Sequence, residues 1–476
     1  MIQDWRNKRV TVMGLGRFGG GVGVTRWLVE VGARVTVTDQ APEDKLAESL
    51  AQISDLDIAL RLGGHNEQDF READAVVVNP AVPESSPYLA AARDAGVELT
   101  TEINLFVERC PARIVGITGS IGKSTTTAMT GFVLNEAAKQ PSDGATEGLP
   151  AGADPTSPPT SIRRVWVGGN IGRSLLENLE EIQSDDVVVL ELSSFQLQRT
   201  LAVEWSPHVA VITNVSPNHL DWHGDFAAYQ AAKLNIVRHQ DRLRDIVVLG
   251  PTPEMQELAG ELRDARRTVW TYGLEGGVPF ADNGTHQSRW KTLKLNVPGR
   301  HNRENAAAAL TVAQVMGIPA DDAIAILGRF EALPHRLQRI AERAGVIYYD
   351  DSKSTTPEAA MTALGAIETP VLIILGGHDK GSDLRPLAAS VARRAKFAAC
   401  IGATGQTLAK AIAAAGGRVE HCGELAAAVA ACKKRARAGD VVLLSPGCAS
   451  WDQFVDYRAR GEMFAQLVRQ DTENAQ

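Results

Sequence analysis

A glycine-rich stretch at residues 116–124 has the residue types and spacing that bind nucleotide phosphates. It reads GITGSIGKS, which fits the pattern G-x-x-x-x-G-K-[ST] and stands between an apolar run and a stretch rich in Thr and Ala. In such a loop the backbone N–H groups face phosphate oxygens, and the following helix presents its positive N-terminus. Lys123 would neutralise the outer phosphates, and Ser124 or Thr125 would approach a Mg²⁺ ion. The pattern alone does not name a reaction, and a solvated lysine after a glycine turn is the plain alternative.

A second glycine loop, at residues 14–19, reads GLGRFG and also follows an apolar run. Asp39 comes about twenty residues later, where the next predicted strand ends, which is typical of dinucleotide-binding folds. The loop holds a diphosphate in such folds, and the acid meets a sugar. Because a UDP-sugar also contains a diphosphate, the motif fits NAD(P) or another nucleotide, and a purely structural tight turn is a third interpretation.

Strands that alternate with helices must position both loops. The hydropathy pattern predicts strands at residues 9–13, 34–38, 75–78, 114–117, 187–190, 209–213, 346–349, 371–375, 398–401 and 441–444, and helices at 25–31 and 226–237. This alternation predicts an α/β fold with parallel, doubly wound sheets. New series of strands begin near residues 113 and 346, so we expect three domains, at residues 1–110, 111–332 and 333–476. Residues 141–161 are mostly Pro, Gly, Ala, Ser, Thr and Asp, and we predict a flexible surface insertion there.

The bulk composition narrows the class of protein. A length of 476 residues fits about three domains, and 44% hydrophobic with 22% charged residues is the balance of a globular protein. The net charge of −8 gives no electrostatic reason to expect a nucleic acid as partner. The apolar runs are strand-sized, which predicts no membrane insertion, and the N-terminus does not resemble a signal peptide. Five cysteines without a CxxC pair predict neither a disulfide framework nor a zinc site, so we expect packing residues in a reducing cytoplasm.

Further segments, in order along the chain, carry a resemblance to a known family. They are GGNIG at 168–172, ELSSFQL at 191–197, TNVSPNHLD at 213–221, YQAAK at 229–233, HNRENA at 301–306, HR at 335–336, DDSKST at 350–355, GGHDK at 376–380 and LSPGCAS at 444–450. Together with the two glycine loops, these segments resemble the Mur ligases over nearly the whole chain. ELSSFQL and LSPGCAS favour the D-glutamate-adding branch of the family. The D-N-P-R motif expected of the diaminopimelate- or lysine-adding branch does not occur.

The resemblance implies a fold and a reaction. The expected fold has a Rossmann-like UDP-binding domain, a central P-loop ATPase domain and a Rossmann-like C-terminal domain. The expected enzyme is an ATP- and Mg²⁺-dependent ligase that activates a carboxylate of UDP-N-acetylmuramoyl-L-alanine as an acyl phosphate, which the amine of D-glutamate then attacks. Such a reaction brings two anions together, so it needs cations at the site. A monomer is expected.

The resemblance also implies roles for individual residues. Those expected in catalysis are Lys123, Glu191, His219 and Lys233. Those expected to hold metal are Ser124, Glu191, His219 and a carbamylated Lys233. Those expected to bind ATP are Gly119, Ser120, Gly122, Lys123, Ser124, Thr125, Asn302, Arg336 and Asp351. Those expected to bind the UDP substrate are Leu15, Gly16, Asp39, Gln40, Asn170 and His219, and those expected to bind the amino acid are Lys353, Thr356, Lys380, Ser450 and Tyr457.

Plainer interpretations exist for several of these residues, and other functions remain open. His219 could be a core or surface histidine, Lys233 a solvated lysine on a helix, and Asn302 a helix cap. The first rival function is a sister Mur ligase or a folylpolyglutamate-type ligase with another amino acid, such as L-glutamate. The second is an NAD-dependent oxidoreductase that uses the first glycine loop. The third is a nucleotide-binding regulator without turnover.

Overall fold

The strands of the protein form three sheets, which are seen in a computed structural model that describes residues 4–16, 19–140, 161–170 and 174–470. The predicted insertion at 141–161 lies outside the described residues, apart from Ser161. The described helices do not include one that is both long and apolar enough to cross a membrane. Contact density divides the chain into two compact units, residues 1–293 with 304–327 and residues 294–303 with 328–476.

The first sheet is parallel, with the strand order β3-β2-β1-β4-β5. Its strands are β1 Arg9–Met13, β2 Arg34–Asp39, β3 Ala59–Leu62, β4 Ala75–Val78 and β5 Glu98–Thr100, and its helices are α1 Gly20–Glu30, α2 Glu43–Ala51, α3 Glu67–Arg71, α4 Pro87–Asp94 and α5 Glu102–Val107. The predicted strands at 9–13 and 75–78 are confirmed at both ends. The order reverses beside β1, so the crevice at its carboxyl end is where a doubly wound sheet binds ligands.

The second sheet has eight strands in the order β13-β12-β11-β10-β9-β6-β8-β7. Its strands are β6 Arg113–Thr118, β7 Val165–Gly169, β8 Val187–Glu191, β9 Val209–Ile212, β10 Ile246–Leu249, β11 Thr268–Glu275, β12 Val278–Asp282 and β13 Gln287–Arg289. Its helices are α6 Lys123–Ala138, α7 Ser194–Arg199, α8 Leu220–His223, α9 Phe226–Arg238, α10 Pro253–Asp264, α11 Arg300–Val315 and α12 Ala320–Leu327. Every residue of β8 and β9 is buried, as helices on both faces of a parallel sheet require.

The third sheet has six strands in the order β14-β15-β19-β16-β17-β18. Its strands are β14 Gln338–Arg343, β15 Val346–Asp350, β16 Val371–Gly376, β17 Ala395–Ile401, β18 Val419–Gly423 and β19 Val441–Leu444, and its helices are α13 Pro357–Ala366, α14 Arg385–Arg394, α15 Gly405–Ala414, α16 Leu425–Arg435 and α17 Tyr457–Arg469. Separate apolar clusters cover its two faces, one around Leu375 and Leu387 and the other around Leu444 and Phe464.

Antiparallel strands at two sheet edges depart from the parallel pattern that the sequence predicts. β11 to β13 form an antiparallel meander, and β14 pairs antiparallel with β15. The connections explain why, because Gly276-Gly277 and Ala344-Gly345 all have positive φ angles. Two residues with positive φ make the turn that matches the twist of a hairpin. Gly-Gly is a recognisable hairpin signal, whereas an alanine with positive φ is not.

Two helix starts place residues of interest. Asp225 precedes α9 and its Oδ1 accepts from Ala228 N at 2.8 Å, so the cap sets where the helix carrying Lys233 begins. Ser193 precedes α7, and its side chain and that of Gln196 cap each other's backbone N–H groups. This capping box ties α7 directly to the end of β8.

Candidate active site

Four segments predicted to do chemistry meet at one edge of the second sheet. β7, β8, β6 and β9 are parallel, with β6 between β8 and β9 and β7 beside β8. Their carboxyl ends lead into Asn170, Glu191, the loop at 119–122 and the segment 213–219 respectively. The topology therefore confirms that these segments are neighbours, although they are far apart in the chain.

The glycine loop after β6 is held in place by the segment that follows β9. Gly122, in left-handed conformation with φ of 88°, precedes α6, and a Cβ there would come 2.6 Å from Asn305 Oδ1. The Ser120 backbone N–H donates to Asn214 O at 2.9 Å, and its hydroxyl lies 2.9 Å from the Tyr229 hydroxyl. The strand, loop and helix expected of a phosphate-binding loop are thus all present. Gly119, Ser124 and Thr125 belong to the same loop and first helical turn.

Two lysines converge on this loop. Lys123 Nζ and Lys233 Nζ each donate to the Gly119 carbonyl oxygen at 2.8 Å. Lys233 is 1% exposed, although it lies on a helix where most lysines extend into water. Burial, together with the neighbouring charge of Lys123, lowers the pKa of Lys233 to about 7. The two amines therefore share one carbonyl oxygen of the glycine loop.

Glu191, at the end of β8, pairs in register with Ile117 of β6, and its charge acts on the pKa of Lys233. Its side chain is 2% exposed, and its Oε1 accepts from Asn170 Nδ2 at 2.7 Å. Its Oε2 is buried and has no hydrogen-bond partner in the structure. A buried carboxylate oxygen without a partner is costly, which is the state expected of an oxygen that coordinates a cation.

His219 follows β9 and has an unusual backbone. Its φ of 52° is positive, and its ring packs 5.0 Å from the Phe195 ring. Partial burial, with the charge of Lys123 as the next cause, lowers the pKa of His219, which favours the neutral imidazole. A neutral imidazole is the form that binds metals.

The described residues do not contain a group of three or more His, Cys, Asp or Glu side chains arranged to hold a metal ion. The predicted set of Ser124, Glu191, His219 and Lys233 contains only two ordinary metal ligands of those types. A cation at this site would therefore depend on the serine hydroxyl and on modification of the lysine. The metal assignment stays a prediction.

A cavity of about 280 Å³ lies beside the first glycine loop. The predicted substrate residues Leu15, Gly16 and Asn170 line it, whereas Asp39, Gln40 and His219 do not. The cavity is also lined by residues that the sequence analysis did not assign to the substrate: Asn79, Glu102, Ser193, Phe195 and Gln196. Ser193, Phe195 and Gln196 belong to the ELSSFQL segment, so the sequence carried a motif that could have pointed to them. No motif in the sequence around Glu102 points to a role in the cavity.

Asp39 supports the first glycine loop. Its Oδ2 accepts from Gly16 N at 3.1 Å and its Oδ1 from Ala41 N at 2.8 Å. Both carboxylate oxygens thus have backbone donors, which stabilises the conformation of the loop. The predicted contact between Asp39 and the nucleotide stays untested.

The predicted amino-acid residues all lie in the third domain. Lys353 Nζ lies 5.4 Å from the centre of the Tyr457 ring, where α17 begins. Lys380 Nζ lies 5.3 Å from the centre of the exposed Trp451 ring. Ser450 is buried, and the Thr356 side chain caps α13. The structure therefore groups Lys353 with Tyr457 and gives Thr356 a capping role that the sequence analysis did not foresee.

The remaining predicted ATP residues, Asn302, Arg336 and Asp351, lie in the second compact unit. Asn302 Nδ2 donates to Pro298 O at 2.7 Å. Asp351 is 5% exposed; its Oδ1 accepts from Leu337 N and its Oδ2 from Ser445 Oγ. Burial raises the pKa of Asp351 to about 6. The ribose contact expected of Asp351 stays a prediction.

Comparison with protein families gives three matches that follow the three sheets. Residues 8–101 match the Mur ligase MurD-like N-terminal domain, residues 117–313 the Mur ligase middle domain, and residues 335–448 the Mur ligase glutamate ligase domain. The matched regions together span more than half of the chain. They agree with the three-domain α/β architecture seen in the structure.

Comparison with individual proteins points the same way. A UDP-N-acetylmuramoylalanine--D-glutamate ligase of Symbiobacterium thermophilum is 34% identical over 484 aligned residues, covering 97% of this chain and 98% of that protein. The enzyme of the same name from a Roseiflexus species is 36% identical over 488, covering 98% and 99%. Among solved structures, UDP-N-acetylmuramate-alanine ligase MurC from Thermotoga maritima has a TM-score of 0.59 at 20% identity, covering 97% and 99%. MurF from Acinetobacter baumannii has a TM-score of 0.55 at 16% identity, covering 96% and 93%. By sequence over its full length, the chain belongs to the Mur ligase family.

Proposed function

We propose that this chain joins D-glutamate to the carboxylate of UDP-N-acetylmuramoyl-L-alanine, with cleavage of ATP to ADP and phosphate, during synthesis of the peptidoglycan precursor. The observation that carries the proposal is the meeting of Lys123, Lys233 and Glu191 at one sheet edge. Asn170, which donates to Glu191 at that edge, also lines the cavity beside the first glycine loop. The relatives that match over the full chain carry the name of this reaction.

The residues of the loop suit the first step, attack of the substrate carboxylate on the γ-phosphorus of ATP. A new C–O–P link forms, and ADP leaves with the electron pair of the broken P–O bond. The two reactants are both anions, so Lys123 and the loop N–H groups lower the barrier by offsetting their charge. In the second step the amine of D-glutamate attacks the acyl carbon, phosphate leaves, and the amine loses a proton.

The donor set fits Mg²⁺. Glu191 supplies a buried oxygen without a hydrogen-bond partner, His219 a neutral imidazole, and Ser124 a hydroxyl beside the loop. When bound, Mg²⁺ would supply charge neutralisation for the phosphates. We propose that Glu191, Ser124, His219 and a modified Lys233 hold it.

Modification of Lys233 by CO₂ is part of the proposal. A pKa near 7 leaves a large fraction of Lys233 as neutral amine, which is the nucleophilic form. Addition of CO₂ to the neutral amine forms an N–C bond and releases one proton, which gives a carbamate anion. The anion would support a metal, whereas the unmodified cation would repel it.

The cavity beside the first glycine loop is proposed to take the UDP substrate, with Leu15, Gly16 and Asn170 in contact and Asp39, Gln40 and His219 in supporting roles. Arg336, Asp351 and Asn302 are proposed for ATP, and Lys353, Thr356, Lys380, Ser450 and Tyr457 for D-glutamate. Lysine cations, together with the hydroxyl groups of the other residues, suit the two carboxylates of glutamate. We also propose that the enzyme is a cytoplasmic monomer, which sedimentation of the purified chain and cell fractionation would test.

The deciding experiment measures phosphate release with UDP-N-acetylmuramoyl-L-alanine, ATP and Mg²⁺, after addition of D-glutamate or L-glutamate. Release that depends on D-glutamate supports the proposal. Release with L-glutamate alone moves the chain to a sister specificity. Absence of release with either glutamate would contradict the proposed reaction. Absence of release with the other precursors and amino acids as well would favour the regulator alternative. Family membership leaves the oxidoreductase alternative without support, and a failed titration with NADH would close it.

A further inference from the structure

Arg460, in the first turn of α17, is buried in the third domain. Its side chain is 1% exposed. Nε donates to Ser352 Oγ at 2.9 Å, Nη2 to Ser352 O at 2.8 Å, and Nη1 to Cys448 O at 3.2 Å and Ala449 O at 3.3 Å. All four acceptors are uncharged oxygens. Burial lowers the pKa of Arg460 to about 10, so the guanidinium remains a cation at neutral pH.

The acceptors belong to loops whose next residues are proposed to bind the amino acid. Ser352 comes directly before Lys353, and Cys448 and Ala449 come directly before Ser450. Ser352 Oγ also donates to Tyr457 O at 2.8 Å, which ties the start of α17 to the first of these loops. One side chain thus links both loops and the helix.

A third loop reaches the same point. The Ala449 carbonyl that accepts from Arg460 also accepts from His378 N at 2.8 Å. A Cβ on Gly377 would lie 3.3 Å from Arg460 Nη1, so this loop lies close to the guanidinium. This loop carries Lys380, three residues after Gly377.

The next residue of α17 shows how closely the helix approaches. A Cβ on Gly461 would overlap His335 Nδ1, and His335 Nδ1 lies 2.7 Å from Asp350 Oδ2. Only glycine lets the helix come near enough for Arg460 to reach both loops. The charges of Asp350 and Asp452 act on Arg460, but burial outweighs them, so this cation does not by itself favour folding. A role in fixing the geometry of a site explains the buried Arg460 better than a contribution to stability does.

We propose that Arg460 is a positioning residue for the amino-acid substrate: its guanidinium joins the loops that carry Lys353 and Ser450 by hydrogen bonds, and through the Ala449 carbonyl the loop that carries Lys380 is fixed to them. The inference rests on the proposed function, which assigns the amino acid to these residues. The planar fork, with donors in several directions, is what spans the loops, and a lysine ammonium cannot reproduce it.

The test compares full-length wild type with Arg460→Lys, using KM for D-glutamate, ATP and UDP-N-acetylmuramoyl-L-alanine, together with melting temperature. Arg435→Lys is the matched control, because Arg435 lies in the same domain on α16 and packs over the Phe397 ring. We expect KM for D-glutamate to rise about tenfold or more in Arg460→Lys, with the other two values within about twofold. The control should leave all three unchanged.

Ser352→Ala provides a second variant with a smaller change, and decides the matter if Arg460→Lys does not fold. It removes the hydroxyl shared by Arg460 and Tyr457, and KM for D-glutamate should rise about threefold. A folded variant with unchanged KM for D-glutamate, or with all three KM values raised equally, overturns the inference. Wild type without D-glutamate-dependent release overturns the proposed function instead, so the two failures are distinguishable.

Discussion

Lys123 and Lys233 share one carbonyl oxygen, yet only Lys123 belongs to the glycine loop, so the two can be separated by mutation. The Lys123 ammonium lies at the N-terminus of α6, where an anion is already favoured by the helix dipole. The negative charge of the phosphoryl group during transfer is what a cation at this position must offset.

We therefore expect Lys123→Ala to lower phosphate release by about a thousandfold or more, since a preorganised charge at the transferring group is lost. Initial rates under saturating substrates measure this. Lys139→Ala, at the other end of α6 and exposed, should keep the wild-type rate. Near-normal activity in Lys123→Ala would show that the loop does not bind the phosphates of ATP.

Glu102 gives a prediction for pH dependence. Burial raises the pKa of Glu102 from its ordinary value of 4.5 to about 7, while Ser174 Oγ donates to Oε1 at 2.5 Å. Between these pH values the folded protein holds a proton that the unfolded chain has released, so the free energy of unfolding falls as pH rises toward 7. Above pH 7 both states are ionised and the full cost, on the order of 3 kcal/mol, remains.

Glu102→Gln removes this titration. The melting temperature of the variant relative to wild type should rise between about pH 4.5 and 7 and level off above. Glu48→Gln, an exposed position on α2, is the control and should show no such trend. A constant difference across this range would mean that Glu102 titrates near its ordinary value.

At the scale of an element, α1 depends on a close approach to the first glycine loop. A Cβ on Gly21 would overlap the Leu15 carbonyl oxygen, whereas a Cβ on Gly20 would meet nothing within 4 Å. The sequence fingerprint ends at Gly19, which has a φ of 87° and no atom near its Cβ position. The glycine that permits close packing of helix and loop is thus Gly21, which the fingerprint does not include.

Gly21→Ala should destabilise the protein by about 1–3 kcal/mol, because the loop carbonyl must shift. Gly20→Ala, one residue earlier in the same helix, should be neutral or slightly stabilising, because alanine favours helix. Denaturant unfolding of the two variants provides the comparison. Equal stability of the two would mean that the loop gives way at little cost.

At the scale of the whole molecule, the third sheet has its own apolar cluster on each face. The expected boundary near residue 333 can be tested on this basis. We expect a fragment of residues 328–476 to unfold cooperatively when followed by circular dichroism, since its cores do not draw on the first two sheets.

A fragment of residues 346–476 is the matched comparison. It lacks β14 and so exposes the edge of β15, which should lower its melting temperature or cause aggregation. A longer fragment without a cooperative transition would show that this part of the chain requires the rest in order to fold.

The sequence by itself determined ten of the nineteen strands that the structure describes, the two glycine loops and the family. The strands at 75–78 and 441–444 are continuous apolar runs, and the loops are local patterns, so their signals lie within a few neighbouring residues. Some residues predicted for the site, such as Gly16, Lys123 and Glu191, lie in such segments. Their roles toward ATP, metal and D-glutamate stay predictions.

Only the tertiary structure decided which distant residues become neighbours. Lys233 looks like any helical lysine until α9 packs on the loop after β6, and Arg460 until α17 docks on three loops. Glu102 enters the cavity through the packing of α5, and the antiparallel edges follow from two short turns. Periodicity encodes which face of an element is buried, but burial of a charge depends on contacts across the fold, which no local pattern specifies.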